Sequence, residues 1–433
     1  EVERGMETEK KGMFDWYFKS NLLIRILIGL VLGAIVGLVA GNSILWVRPL
    51  GDIFIRLLKM IVTPIILTTL VVGSASISPA ELGKVGVKIV IYYLFTSAVA
   101  VAVGLVMGNI FRPGLGLDLG SIGEAAGKAL EKPSLANTFL NIIPTNPFAS
   151  LSGGDVLQII FFAILFGLGI SYLKISKDSR IREAGELLFK IFDGSAEAMY
   201  KIVGWVLQYA PIGVFALISV VFAQQGAKAI GPLWGVTLAC FLGYILHLIV
   251  IYGGALSLYK LSFSTFLKGS KEAMITAFVT RSSGGTLPIT MRNADENLGI
   301  AKNVYSFTLP LGATVNMDGT AIYQGVCALF IGFAVGLPLN FSQQLTVILT
   351  AVLASIGTAG VPGAGAIMLL LVLDSIGLPI EQGSPVAAAY AMILGIDAIL
   401  DMGRTCLNVT GDLVGSAIVA KTENLLDLSK WGK

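Results

Sequence analysis

Six apolar stretches follow one another near residues 21–41, 45–74, 85–111, 154–174, 196–223 and 231–259. About 20 apolar residues cross a bilayer as a helix. Lipid offers no partners to backbone N–H and C=O groups, so only helices or closed barrels can span it. Barrel strands would appear as alternating segments of about ten residues, and these runs are far longer. Several exceed one span and are expected to tilt. Composition agrees, with 55% hydrophobic and 13% charged residues, against about 25% charged in soluble domains. The expected fold class is an all-α polytopic membrane protein, surrounded by lipid in the plasma membrane. The net charge of +3 gives no reason to expect nucleic acid. Cys240, Cys327 and Cys406 lie in apolar segments without CxxC spacing and read as small core residues. His247 stands alone in an apolar run and reads as a packed or interfacial residue outside the polar constellations below.

Beyond residue 262 the pattern changes. Short apolar pieces are broken at Arg281-Ser-Ser-Gly-Gly-Thr-Leu-Pro288, at Asn316-Met-Asp-Gly-Thr320 and at Ser355-Ile-Gly-Thr-Ala-Gly-Val-Pro-Gly-Ala-Gly365. A broken hairpin with a small-residue tip precedes a helix with a polar centre, and the pair occurs twice. Interrupted hydrophobic segments in corresponding positions point to a transporter site. The plainer reading is that Gly and Pro only kink packed helices. The chain divides as a cytoplasmic segment 1–20, six transmembrane helices in 21–262, a transport core in 263–420 and a cytoplasmic tail 421–433. The core holds a first hairpin, a seventh helix, a second hairpin and an eighth helix. No small-residue cleavage site follows the first apolar run, which is expected to remain as a helix.

Lys and Arg set orientation. Arg4, Lys10, Lys11, Lys19 and Arg25, then Lys174, Lys177, Arg180 and Arg182, then Lys268 and Lys271, and finally Lys421, Lys430 and Lys433 fall on one side. Both termini are therefore expected in the cytoplasm. Arg112, Lys128 and Lys132 fall on the other side, offset by Asp118, Glu124 and Glu131.

The eighth helix carries Asp397, Asp401, Arg404, Thr405, Asn408 and Asp412 at steps of mostly three or four, hence on one face. A charged side chain at the bilayer centre costs roughly 2.5–3.5 kcal/mol even on lenient scales. Such a stripe needs partners, water or bound ions. Dehydrated hard cations take oxygen ligands, which Asn316, Asp318, Asn408 and Asp412 supply. Gly312, Gly319, Gly357, Gly360 and Gly411 would permit unwound backbone whose carbonyls turn inward. No His or Cys cluster suggests a transition metal, and no organic cofactor is implied. An aspartyl protease would need two carboxylates sharing a proton, whereas Arg, Asn and Thr favour ionised carboxylates. The chain is read as no enzyme. Arg404 can clasp a carboxylate in bidentate fashion, and Asp401 can take an ammonium group. Serine-rich tips offer N–H groups to an anion. An acidic amino acid satisfies all three. If Arg404 only neutralised Asp401 or Asp412, the stripe would be structural.

With these motifs the chain resembles the dicarboxylate/amino acid:cation symporter family, and closely its archaeal glutamate transporter homologues, which transport aspartate. The likeness runs from about residue 20 to the end. It implies a homotrimer with eight transmembrane helices and two re-entrant hairpins, built as inverted repeats. A scaffold would hold the trimer, and a transport domain, joined by the third and sixth helices, would move as an elevator. It implies that Arg404 binds the substrate side-chain carboxylate, Asp401 the amino group, and Thr320, Thr405 and Asn408 further polar atoms. Arg281, Ser282, Ser283 and the stretch from Val361 to Gly365 would enclose the substrate. One sodium would sit among Gly312, Asn316, Asn408 and Asp412. Carbonyls of Thr314, Ser355, Ile356 and Thr358 would hold a second. A third would use Tyr93, Thr96, Ser97, Asn316 and Asp318.

The departures are local. The first tip has a shorter serine run than in relatives. The stretch Asn293–Gly299 is one residue longer and is expected as a loop change. Animal members have an arginine where Met402 stands and a glutamate where Gln324 stands; here the arginine comes from Arg281. That pattern resembles the sodium-only type. Asp397 is expected to hydrogen-bond to the first part of the same transport core, with a proton-carrying role as the alternative. The expected function is sodium-coupled uptake of L-aspartate. The alternatives are a proton-coupled glutamate or C4-dicarboxylate symporter of the same fold and, from another class, an anion channel.

Overall fold

The computed structural model describes residue 20 and residues 22–76, 84–117, 119, 143–356, 358 and 360–431. Expectations for residues 1–19, Asp118, Glu124, Lys128, Glu131, Lys132, Gly357 and Lys433 lie outside the described residues. The described residues are helical, with an isolated antiparallel bridge from Ile300 to Leu426.

The first two-thirds holds α1 (Leu22–Ala40), a 3₁₀ segment Gly41–Val47, α2 (Arg48–Ala75), α3 (Lys84–Phe111), a short helix Pro147–Gly153, α4 (Val156–Lys174), α5 (Ser179–Gln225) and α6 (Ile230–Leu246). From α6 the chain continues through a π-helical segment His247–Tyr252 into a helix Gly253–Leu258. All six expected apolar stretches lie in these elements. The fifth helix starts earlier than hydropathy suggests, because its first turns carry Arg180, Arg182, Glu183, Glu186 and Lys190. Charge hides that extension from a hydropathy window, whereas these residues favour helix. Asp178 caps it, its side chain accepting from Arg180 N at 2.9 Å.

The last third breaks as its small residues predict. α7 (Phe263–Thr280) reverses at Arg281, whose φ of 56° is left-handed, and α8 (Ser283–Arg292) follows. α9 (Lys302–Val315) ends at Asn316-Met317 and α10 (Asp318–Ala334) resumes. α11 (Phe341–Ser355) and α12 (Ala364–Ser375) form the second hairpin, and α13 (Pro385–Thr422) runs unbroken for 38 residues.

Two expectations need correction. The stretch Asn293–Gly299 is no loop: Asn293–Asn297 continue α8 as a π-helical turn. Hydrogen bonding i→i+5 is a widened helical turn, so the chain stays helical through Asn297. Nor do Gly312, Gly319 and Gly411 mark unwound backbone, since each lies within a helix. They permit close approach instead. A Cβ at Gly319 would lie 2.7 Å from the Arg404 carbonyl carbon, and one at Gly312 would lie 2.7 Å from Tyr93 Oη.

Packing sorts the helices into two groups. α1, α2 and α5 pack together, with α4 against α2 and α5; α3 and α6 pack on α10, and α13 packs on α7, α9 and α10. Burial follows. The spanning window in Lys302–Ala334 is 94% buried and that in Pro385–Thr422 is 78% buried, against 28% for Ile24–Ala75. The polar-centred helices thus lie inside an apolar shell. Five continuous helical runs among the described residues are long and apolar enough to cross a membrane. Between the groups runs an apolar seam with a cavity of about 40 Å³, bordered by Ile26, Phe54, Leu58, Leu207, Arg281 and Asp397. Polar contacts also join the groups. Arg48 Nη2 donates to Gly383 O at 2.9 Å, Arg56 Nε to Gln382 Oε1 at 2.9 Å, and Gln382 Nε2 to Asp52 Oδ2 at 2.9 Å.

Small residues set how closely α3 and α10 cross. A Cβ at Gly104 would lie 2.9 Å from the Ile322 carbonyl carbon, and one at Gly325 would lie 2.9 Å from Val101 O. Backbone cannot yield as a flexible side chain can. G104A should therefore destabilise the fold by about 1–3 kcal/mol, read as a lower thermal unfolding midpoint in detergent. G254A, exposed and with open space around its Cβ, should leave the midpoint unchanged or raise it. Equal midpoints for the two variants would show that the crossing is loosely packed.

Candidate functional site

The broken helices point their N-termini at the middle of α13. Each helix start leaves N–H groups without intrahelical partners, and α13 supplies acceptors. Asn408 Oδ1 accepts from Gly319 N at 2.7 Å and Thr320 N at 3.4 Å, at the start of α10. Asp401 Oδ2 accepts from Gly363 N at 3.0 Å, at the start of α12. The two hairpin tips meet above them. Ser282 Oγ donates to Gly360 O at 2.7 Å, and Gly284 N donates to the same oxygen at 3.1 Å.

Arg404 lies at the centre, 1% exposed. Its Nε donates to Asp401 Oδ1 at 2.8 Å, its Nη1 to Asp397 Oδ1 at 2.7 Å and its Nη2 to Asp397 Oδ2 at 3.3 Å. The guanidinium carbon stands 4.6 Å from the Tyr323 ring centroid, in cation–π range. Thr405 Oγ1 donates to Asp401 Oδ1 at 3.2 Å. Asp397 therefore does not bond to an earlier part of the core, as expected from sequence. It lies seven residues, about two turns, before Arg404 on the same face, and the long arginine side chain reaches back to it. Arg404 has five N–H groups. Three are engaged in these bonds, which leaves one on each Nη.

Between the tips and α13 lies a cavity of about 10 Å³, close to one water in size. Arg281, Ser283, Thr320, Val361, Gly365, Asp401, Arg404, Thr405 and Asn408 all line it. Of the expected substrate residues, Ser282 is the exception, because its hydroxyl bridges the two tips. Met317, Thr358, Gly360 and Ala364 complete the wall. Gly365 is there for space, since a Cβ would lie 2.8 Å from Arg404 Cζ.

A second polar nest lies beside the break between α9 and α10. Ser97 Oγ donates to Asp318 Oδ1 at 2.8 Å, and Thr96 Oγ1 to Asn316 Oδ1 at 3.4 Å. Asn316 Nδ2 donates to Asp412 Oδ1 at 3.0 Å and to Asn408 O at 3.4 Å. Tyr93 Oη donates to Thr308 O at 2.9 Å, close to Gly312. Two of the three expected cation sets thus share one nest. Asp318 is fully buried and Asp412 is 2% exposed. Among the described residues neither pairs with a lysine or arginine. The remaining set, Thr314, Ser355, Ile356 and Thr358, bonds within its own turns: Thr314 Oγ1 to Leu311 O, Ser355 Oγ to Val352 O, Ile356 N to Leu353 O and Thr358 N to Ser355 O. The link between its two segments is the second tip, where a Cβ at Gly360 would lie 3.1 Å from Ala313 O.

Sequence reasoning missed three participants. Tyr323 lies under Arg404 as an ordinary core aromatic. Tyr252 Oη donates to Asp318 Oδ2 at 2.6 Å from a segment that reads only as a span. His247, read as lying outside the constellations, is fully buried with Nε2 3.4 Å from Asp318 Oδ2. A lone histidine in an apolar run was the available signal.

The sodium:dicarboxylate symporter family model matches residues 22–422. The proton/sodium-glutamate symport protein of Geobacillus stearothermophilus is 38% identical over 416 residues, 94% of this chain and 95% of the relative. The proton/glutamate-aspartate symporter of Escherichia coli (strain K12) is 37% identical over 392 residues, covering 88% and 86%. A C4-dicarboxylate transport protein of Rhodopseudomonas palustris (strain BisB18) is 33% identical over 423 residues, covering 96% and 90%. With its apolar shell, broken inner helices and buried charged stripe, the chain belongs to the sodium:dicarboxylate symporter family, whose members are membrane transporters and not enzymes.

Proposed function

We propose that the chain takes up L-aspartate together with sodium. The observation that carries this reading is the pair of buried carboxylates, Asp318 and Asp412, which have no lysine or arginine partner among the described residues and lie among amide, hydroxyl and imidazole groups. Burying unpaired carboxylates is costly, and bound hard cations remove that cost. The charge tally supports three sodium ions. Asp397 and Asp401 are offset by Arg404 and by Arg281, which borders the same cavity. Asp318 and Asp412 are not offset, and an acidic amino acid adds one further negative charge. Three monovalent cations balance that set.

In this reading the free N–H groups of Arg404 receive the side-chain carboxylate, and Asp401 receives the amine. The cavity of about 10 Å³ must widen first, and the second tip, tied to α13 by the bond from Gly363 N to Asp401 and to the first tip through Gly360 O, is the segment that yields. The two packing groups support a moving core (α3, α6 and α7 to α13) against a scaffold (α1, α2, α4 and α5), hence elevator motion with eight spans and two re-entrant hairpins. Bare apolar faces such as Val39, Trp205 and Trp234 need lipid or neighbouring copies, in keeping with a homotrimer in the plasma membrane. The lysine and arginine pattern supports cytoplasmic termini.

A second reading is favoured by the names of several relatives: proton-coupled transport of glutamate or C4-dicarboxylates in the same fold. Uptake into proteoliposomes separates the two. A sodium gradient should drive aspartate uptake with choline as the internal cation, at any internal pH. Uptake that proceeds without sodium, driven by a proton gradient, would replace the first reading with the second.

Coupling should also appear at equilibrium. If the cation nest and the Arg404 cavity share Asn408 and the second tip, sodium tightens aspartate binding, and aspartate tightens sodium binding by the same factor. Calorimetry of aspartate across a sodium series tests this, and an affinity independent of sodium would refute it.

Arg404→Cys should weaken aspartate binding by about 1.5–3 kcal/mol, roughly ten- to hundredfold, and admit neutral amino acids such as serine. Because Arg404 also neutralises Asp397, R404C/D397N is the better-balanced form of the experiment. Aspartate affinity equal to wild type in both variants would remove Arg404 from the site.

A further inference from the structure

His247 has more structure around it than packing requires. It is fully buried, and among the described residues neither ring nitrogen has a hydrogen-bond partner. A buried polar atom left unsatisfied costs about 1–3 kcal/mol, so a histidine placed there only to fill volume would be a poor choice beside leucine. The backbone is also unusual. His247 opens the π-helical segment His247–Tyr252. Residues five apart stand about 140° apart around an α-helix, whereas i→i+5 hydrogen bonding brings them onto nearly the same face. The two rings accordingly meet edge to face, with centroids 4.8 Å apart. Both reach the same atom: Tyr252 Oη donates to Asp318 Oδ2 at 2.6 Å, and His247 Nε2 lies 3.4 Å from it.

We propose that His247 is a positioning residue for the cation bound at Asp318, a role that rests on the sodium reading above. A carboxylate oxygen can accept two hydrogen bonds. In its Nε2–H tautomer His247, 3.4 Å from Oδ2, would close on that oxygen when the ion is bound and complete a two-donor bracket with the Tyr252 hydroxyl. That bracket fixes the rotation of the carboxylate and leaves Oδ1, beside Ser97, to meet the ion. The π-helical turn is the local distortion that delivers both donors. Hydrogen bonds to ligating groups are worth on the order of 10–100-fold in metal affinity.

The test compares H247L, which fills space without a donor, with H247Q, whose amide restores an N–H. Each is purified in detergent, and aspartate binding is titrated over a sodium series. H247L should raise the half-saturating sodium concentration about tenfold while leaving aspartate affinity at saturating sodium near wild type. H247Q should return most of the sodium affinity. Wild-type sodium dependence in H247L, or equal impairment of both variants, would overturn the assignment and leave a packing role. If H247L does not assemble, H247M takes its place. Failure of both with H247Q assembling would likewise mark a folding role. Sodium-independent binding by the wild-type protein is a separate result, which removes the sodium reading itself.

Discussion

A helix that stops inside an apolar shell must pass its first N–H groups to some acceptor. In this protein the acceptors come from one face of α13. Asn408 Oδ1 closes the start of α10, and Asp401 Oδ2 closes the start of α12. Without them the breaks at 316–317 and at the second tip would leave backbone N–H groups unsatisfied inside the apolar shell, which is costly. The broken helices and the polar stripe are therefore one construction. Neither could persist in a bilayer without the other.

That construction places structural and binding roles on the same atoms. Asp401 holds Arg404, Thr405 and the second tip at once. On the proposed reading, an amine arriving at Asp401 would compete with Gly363 N, and occupancy would be tied to the position of the tip. Asn408 joins the start of α10 to the Asn316–Asp412 nest through its side-chain and backbone oxygens. The cavity is thus joined to the nest by bonded neighbours, the route that the proposed coupling would use.

Much of this was legible in the sequence. The apolar runs gave the outer helices, and Gly, Ser and Pro gave both tips and the break in α9–α10. The polar spacing on α13 predicted a shared face. What was hidden depended on side-chain reach and backbone distortion. Asp397 had no visible partner because a pairing seven residues along a helix needs the full length of an arginine side chain. Tyr252 joined Asp318 because of a π-helical turn, which leaves no hydropathy signature. The stretch after α8, expected as a loop change, opens with a second such turn. Gly312, Gly319 and Gly411 were read as unwound backbone, yet close helix contact uses the same residue type.

The seam between the two packing groups has a mechanical consequence. Ile26, Phe54, Leu58 and Leu207 meet the core through dispersion contacts, which have no preferred direction and re-form after any small displacement. Directional bonds across the boundary join Arg48, Asp52 and Arg56 to Gln382 and Gly383. A body sliding along such a boundary meets little friction over the greasy stretch and a catch at the polar one. If the core slides as proposed, the height of that catch, set by a few hydrogen bonds away from the Arg404 cavity, is the detent that fixes how long it rests in this position.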